Sequence, residues 1–283
     1  VSKKIIAYQG EPGANSHIAC ADVYPGWDTL SCPSFEDAFT AISEGDAELG
    51  MIPIENSLAG RVADIHHFLP GAGLHIIGEY FLPIHFHLLG VRGAKIEDLR
   101  SVYSHIHALG QCRKIIKTYN LKPVTTGDTA GSAREVAEWG DKSRASLAPT
   151  MAAEIYGLDV LARFVEDADH NCTRFIILSR EPRRPEPGAG PTLTTFIFRV
   201  RNVPAALYKA LGAFATNTIN MTKLESYMVN GEFAATQFLV DVEGHPEDAN
   251  LARALEELQF FSEEVRILGA YPAHEFRAHL REG

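Results

Sequence analysis

Polar residues able to do chemistry cluster where short apolar runs meet helical patterns. Asn171-Cys172-Thr173-Arg174-Phe175 runs from a polar turn into the apolar stretch Ile176-Ile177-Leu178. Side chains alternate along a strand, so Thr173 and Phe175 share one face and Arg174 takes the other. Taken alone, Thr173 is equally a β-favouring residue, and Arg174 a structural ion-pair partner. Ile54-Glu55-Asn56-Ser57 ends another apolar run on three polar side chains. Asn56 and Ser57 can donate to a bound anion, and Glu55 becomes an acid if burial raises its pKa. The plainer alternative is a capped helix start near Ser57.

The same arrangement recurs at Ser104-His105-Ile106-His107 through Gln111-Cys112, and at Thr126-Gly127-Asp128-Thr129-Ala130-Gly131-Ser132. Gly10-Glu11-Pro12-Gly13-Ala14-Asn15-Ser16 follows the first apolar run and opens a helix. Free N–H groups at helix starts attract anions, so several such starts facing one cleft make an anion site without a metal. The glycine segment is not G-x-G-x-x-G, and no P-loop, G-x-S-x-G or kinase signature appears. His85-Phe86-His87 and His66-His67 lack a third ligand at a recognisable spacing. They read as structural histidines, and no metal is expected.

The elements that must position these residues alternate. Strands are expected over 4–8, 49–54, 101–104, 123–126 and 144–147, with helices over 35–44, 107–119, 129–138 and 149–156. Ser34 is the expected N-cap of the 35–44 helix, with Phe35, Ala38, Phe39 and Ile42 on its buried face and Gly45 closing it. This pattern predicts an α/β fold with largely parallel sheet. Residues 179–191 hold four prolines and two glycines and cannot sustain a helix or central strand. Beyond that linker the expected order is strand 194–200, helix 204–215, strands 221–228 and 234–242 joined at Asn230-Gly231, helix 246–258 and strand 265–271. This βαββαβ order is ferredoxin-like.

The 283 residues suggest two domains, and a net charge of −10 without a long basic run disfavours nucleic acid as a partner. Cys20, Cys32, Cys112 and Cys172 are scattered and form no C-x-x-C pair, which fits free thiols in a reducing compartment. The apolar run near the start is too short for a signal-peptide core, and no stretch approaches a membrane span. The expectation is a cytoplasmic protein with no membrane partner.

In order, Tyr8-Gln9-Gly10, Pro53-Ile54-Glu55-Asn56-Ser57 with Gly60, Ser104-His105 through Gln111-Cys112, Asp128-Thr129-Ala130-Gly131, Ala153-Glu154-Ile155-Tyr156-Gly157-Leu158 and Thr173-Arg174-Phe175 resemble the prephenate dehydratase family along nearly the whole chain. The resemblance implies a two-lobed α/β catalytic region, similar to periplasmic binding proteins, over 1–180. A proline-rich linker over 181–192 and a ferredoxin-like ACT regulatory domain over 193–283 follow. It implies decarboxylating dehydration of prephenate to phenylpyruvate without a cofactor. Thr173 is then catalytic, stabilising the leaving oxygen by a hydrogen bond, with Glu55 the candidate proton source, and Asn56, Ser57, Ser104, Gln111, Thr129, Arg174 and Phe175 are expected to hold substrate. Phenylalanine is the implied effector of a homodimer or homotetramer, at Ala205, Ala206, Leu207, Asn220, Glu225 and Ser226. The sequence departs from the family at Ile106-His107, where Pro-Gln is frequent, at Ala205, where glycine is usual, and at Tyr227-Met228. An arogenate dehydratase and a non-catalytic small-anion binding protein stand as alternatives.

Overall fold

The structure is a computed structural model that describes residues 4–62, 65–201, 203–228 and 237–279. In chain order the first elements are β1 (Ile5–Gln9), α1 (Asn15–Val23), β2 (Asp28–Cys32), α2 (Phe35–Glu44), β3 (Leu49–Asn56), β4 (Gly60–Arg61) and α3 (Ile65–Phe68). Then come β5 (His75–Pro83), β6 (His87–Gly90), β7 (Ser101–Ser104), α4 (Ile106–Gln111), α5 (Arg113–Thr118), β8 (Lys122–Thr125) and α6 (Thr129–Trp139). They are followed by β9 (Arg144–Ala148), α7 (Thr150–Tyr156), β10 (Asp159–Ala162) and β11 (Cys172–Ser179). The remainder is β12 (Thr192–Val200), α8 (Ala206–Thr216), β13 (Met221–Tyr227), β14 (Gln237–Glu243), α9 (Ala249–Phe261), β15 (Ser262–Pro272) and α10 (Phe276–His279).

By contact the chain forms two compact units, residues 1–62 with 80–175, and residues 63–79 with 176–283. The segment 63–79, which the sequence reading keeps within the amino-terminal region, therefore groups with the carboxy-terminal part of the chain. The reason is partly visible at Glu79, whose buried carboxylate receives Nε of Arg277 at 2.6 Å and Nη2 at 2.8 Å.

Two sheets make the α/β part. One has the order β2-β1-β3-β11-β5, with β4 beside β3, and its β1 lies parallel to both β2 and β3. The other has the order β10-β6-β9-β7-β8. Its β7 is parallel to β8 and β9, whereas β6 runs antiparallel to both β9 and β10. Of the parallel strands, β1, β3 and β9 carry the expected apolar runs because neighbours cover both faces, whereas the edge strands β2 and β8 are largely exposed or half-buried. Local rules account for α2: Ser34 Oγ accepts from Asp37 N at 3.1 Å, Gly45 closes the helix at φ +93°, and Ala38, Phe39 and Ile42 are buried.

The helix expected over 107–119 is broken at Cys112 into α4 and α5. The cause is Asp167, whose carboxylate accepts from the N–H of Arg113 at 2.8 Å and Lys114 at 3.1 Å. A cap arriving from so far along the chain satisfies the first donors of a new helix.

In the second unit β12, α8, β13, β14, α9 and β15 follow the βαββαβ order, in an antiparallel sheet of order β13-β14-β12-β15. Phe196, Phe198, Phe214, Val240, Leu251 and Leu258 form its core under α8 and α9. The expected Asn230-Gly231 turn lies outside the described residues. Among the described residues no helix is long and apolar enough to cross a membrane.

Candidate active site

Five segments of the first unit converge on one cavity of about 270 Å³. The carboxyl end of β3 brings Asn56, and the start of β11 brings Thr173 and Phe175. The turn after β7 and helix α4 bring His105, His107 and Gln111, while Asp128 and Thr129 come from the head of α6. Asn15 and Ser16 come from the head of α1. The loop before α1 reaches the cavity because Gly13 adopts φ +91° and its backbone lies against Ala152 of α7, where a Cβ would sit 2.7 Å from Ala152 Cα. Glycine is needed at such a contact.

The polar wall is tied together across the chain. Asn56 Nδ2 donates to Asn171 Oδ1 at 2.8 Å, to Thr173 Oγ1 at 2.9 Å and to the Cys172 carbonyl at 3.2 Å. Asn56 Oδ1 accepts from the N–H groups of Leu58 at 3.0 Å and Ala59 at 2.8 Å. Asn171 Nδ2 donates to Gln111 Oε1 at 2.7 Å. At the head of α6 the Asp128 carboxylate caps the helix by accepting from Gly131 N.

Of the residues singled out from sequence, Asn56, Gln111, Thr129, Thr173 and Phe175 line this cavity. Four others have side chains committed elsewhere. Arg174 points to the opposite face of β11 and donates to Glu55 at 2.8 Å, with its own side chain 2% exposed and that of Glu55 34% exposed. A carboxylate held by arginine is an acceptor, so the acid role considered for Glu55 has no geometric support, and Arg174 serves that ion pair instead of the cavity. Ser57 Oγ donates to the His170 carbonyl at 2.8 Å and accepts from Cys172 N at 2.9 Å. Ser104, fully buried, donates to the Leu147 carbonyl at 2.6 Å and so joins β7 to β9.

Asn171, His105, His107 and Asp128 also line the cavity, although the motifs by themselves point only to their neighbours. Their position at element ends next to chosen residues was the available signal. Nδ1 of His105 accepts from His107 N at 3.4 Å, so the neutral ring carries its proton on Nε2. Burial pushes His105 below the usual imidazole range, His107 adds to this, and Asp128 opposes it. His85 pairs with Glu166 at 2.7 Å, and His87 Nδ1 accepts from Phe164 N at 3.2 Å.

Residues 6–183 match the family model for prephenate dehydratase. This chain belongs to the prephenate dehydratase family. It is 55% identical over 97% of its length, and 98% of the relative's, to a bifunctional N-acyl-homoserine lactone acylase/prephenate dehydratase of Komagataeibacter europaeus. It is 37% identical, over 96% of its length and 72% of the relative's, to arogenate dehydratase/prephenate dehydratase 1 of Arabidopsis thaliana. The prephenate dehydratase of Arthrobacter aurescens, solved in complex with L-Phe, superposes with a TM-score of 0.86 at 30% identity, covering 95% of this chain and 90% of that one. The family thus supports a dehydratase of aromatic amino-acid biosynthesis built on a two-lobed α/β fold.

Proposed function

We propose that this protein is a prephenate dehydratase that releases carbon dioxide and the ring hydroxyl to form phenylpyruvate without a cofactor. The observation that carries the reading is Thr173. Its oxygen accepts from Asn56, which leaves its hydrogen to donate into the cavity. Aromatisation drives the reaction, so the site has to hold a dianion and assist a departing hydroxide. A donor fixed before the charge develops stabilises that oxygen in the transition state. Gln111 and Thr129 are the partners for the substrate carboxylates, with Phe175 against the ring. Incubating the purified chain with prephenate, and separately with arogenate, tests the reading. Phenylpyruvate forming from prephenate in the presence of a chelator is expected, and no aromatic product from either substrate overturns it. Phenylalanine forming from arogenate alone would favour the arogenate reading, which the double naming of the Arabidopsis relative keeps in play.

A second activity is favoured by the 55% identity to the Komagataeibacter protein, whose name includes an N-acyl-homoserine lactone acylase. His105, His107 and Asp128 are the titratable groups of the cavity on which such an amide hydrolysis would draw. Release of homoserine lactone from an N-acyl substrate, lost in His105→Ala, is its test.

Residues 193–283 are proposed as an ACT domain that senses phenylalanine, with 1–180 catalytic and 181–192 a linker. The βαββαβ order supports this, as does the L-Phe held by the Arthrobacter relative. Ala205, Ala206 and Leu207 head α8, Asn220 precedes edge strand β13, and Glu225 and Ser226 lie in it. Exposed Val203, Tyr208, Leu224 and Met228 support burial against another subunit, hence a homodimer or homotetramer. Four free cysteines, three of them buried, fit action in the cytoplasm. Raising phenylalanine should lower turnover and raise thermal stability. A flat response in both leaves a dimerisation module.

A further inference from the structure

An amide side chain has two ends of nearly equal shape, and only its partners decide which is nitrogen. Around this cavity the decision starts at the backbone. The N–H groups of Leu58 and Ala59 can only donate, so the Asn56 atom they reach is its oxygen. The other end of Asn56 is then the nitrogen, and it meets the Cys172 carbonyl, which can only accept. That nitrogen lies 2.8 Å from Asn171, which must present its oxygen there. The remaining end of Asn171 is its nitrogen, and it lies 2.7 Å from Gln111, which must present oxygen in turn. One orientation is left for Gln111, with its own NH₂ at the free end. Gln111 lines the cavity, and so does Thr173, whose oxygen already accepts from Asn56.

We propose that Asn171 is a positioning residue that transmits the backbone-fixed polarity of Asn56 to Gln111, so that the cavity wall offers hydrogen-bond donors to an anionic substrate at Gln111 as well as at Thr173. Its kinetic consequence rests on the dehydratase reading; the amide orientation does not. Asn171 is itself 4% exposed and has both ends of its amide engaged, so it cannot turn without breaking bonds at both. Without it, Gln111 is free to make a half-turn and present oxygen to a carboxylate, which repels it.

The test uses the full chain with Asn171→Leu, which removes both contacts at similar volume, and Asn171→Asp, which keeps an acceptor for Asn56 but has no donor for Gln111. Each is expected to raise the KM for prephenate about tenfold or more, with a smaller effect on kcat. In a Gln111→Ala background, Asn171→Leu should add little, because the two residues act in series. Selective ¹⁵N labelling of Asn and Gln side chains, with the Gln111 signal assigned from Gln111→Ala, should show that signal shifted in both variants. Additive KM effects, or a Gln111 amide signal that does not move, overturn the proposal. Where Asn171→Leu fails to fold, the Asp variant decides by the same two measurements. If the wild-type chain turns over neither prephenate nor arogenate, the dehydratase reading falls, and the amide signals still decide the orientation.

Discussion

Thr173 and Glu55 separate two roles that look alike in sequence. Thr173 faces the cavity with a hydroxyl hydrogen to donate, while Glu55 is bound to the buried Arg174. Thr173→Ala is therefore expected to lower kcat by about 10²–10³ with the fold intact, measured by steady-state kinetics beside far-ultraviolet circular dichroism. A folded variant turning over at the wild-type rate would refute this. Glu55→Gln should act on stability instead. It weakens the partner of a buried guanidinium and should cost about 1–3 kcal/mol in urea unfolding. A large loss of kcat at unchanged stability would return Glu55 to the chemistry.

At the level of elements, two local features have non-local causes. Asp167 caps α5 from the far side of β9, α7 and β10, so Asp167→Ala is expected to cost about 0.5–2 kcal/mol and to increase amide exchange at the head of α5. Unchanged protection of Arg113 and Lys114 would contradict that. Ala205, at the head of α8, sits at φ +62°, where a Cβ crowds the backbone. Ala205→Gly relieves that strain but adds freedom to the unfolded chain, so the expected change is small, between neutral and about 1 kcal/mol stabilising. Thermal unfolding checks it, and a clear loss of stability would show that the methyl packs favourably.

For the whole molecule, the grouping of 63–79 with the carboxy-terminal segment changes what cleavage should do. A protease nick within 180–191 is not expected to release 193–283, because Glu79 on one side of the cut remains paired with Arg277 on the other. The pieces should co-elute on size exclusion, and Glu79→Ala should cost about 1–3 kcal/mol by removing two charge-assisted hydrogen bonds to Arg277. Free separation of the nicked pieces would sink the idea. Acid should also loosen the protein. Nδ1 of His17, His87 and His105 each accepts a backbone N–H, and burial lowers all three from 6.5. Groups depressed in the folded state favour it above their unfolded pKa, and that contribution is lost as pH falls through their folded values. The melting temperature should fall from about pH 7.5 to about pH 5.5, and a rise over that window would refute the assignment.

Periodicity and capping made most elements legible. The face of α2, its Ser34 cap and its Gly45 stop follow from spacing alone, because each depends on residues three or four apart. Strand alternation likewise put Thr173 and Phe175 on one side and Arg174 on the other, and the cavity receives just that pair. The site was legible as segments, but not as commitments of side chains. Ser57 and Ser104 have the same chemistry as a substrate ligand, and only the approach of His170 and Leu147 decides that their hydroxyls bind backbone. The break at Cys112, the attachment of 63–79 and the polarity of the Asn56–Asn171–Gln111 amides share one reason. Each is decided by a hydrogen-bond partner distant in sequence, and a one-dimensional pattern records which groups can donate or accept, whereas the tertiary structure decides which of them meet.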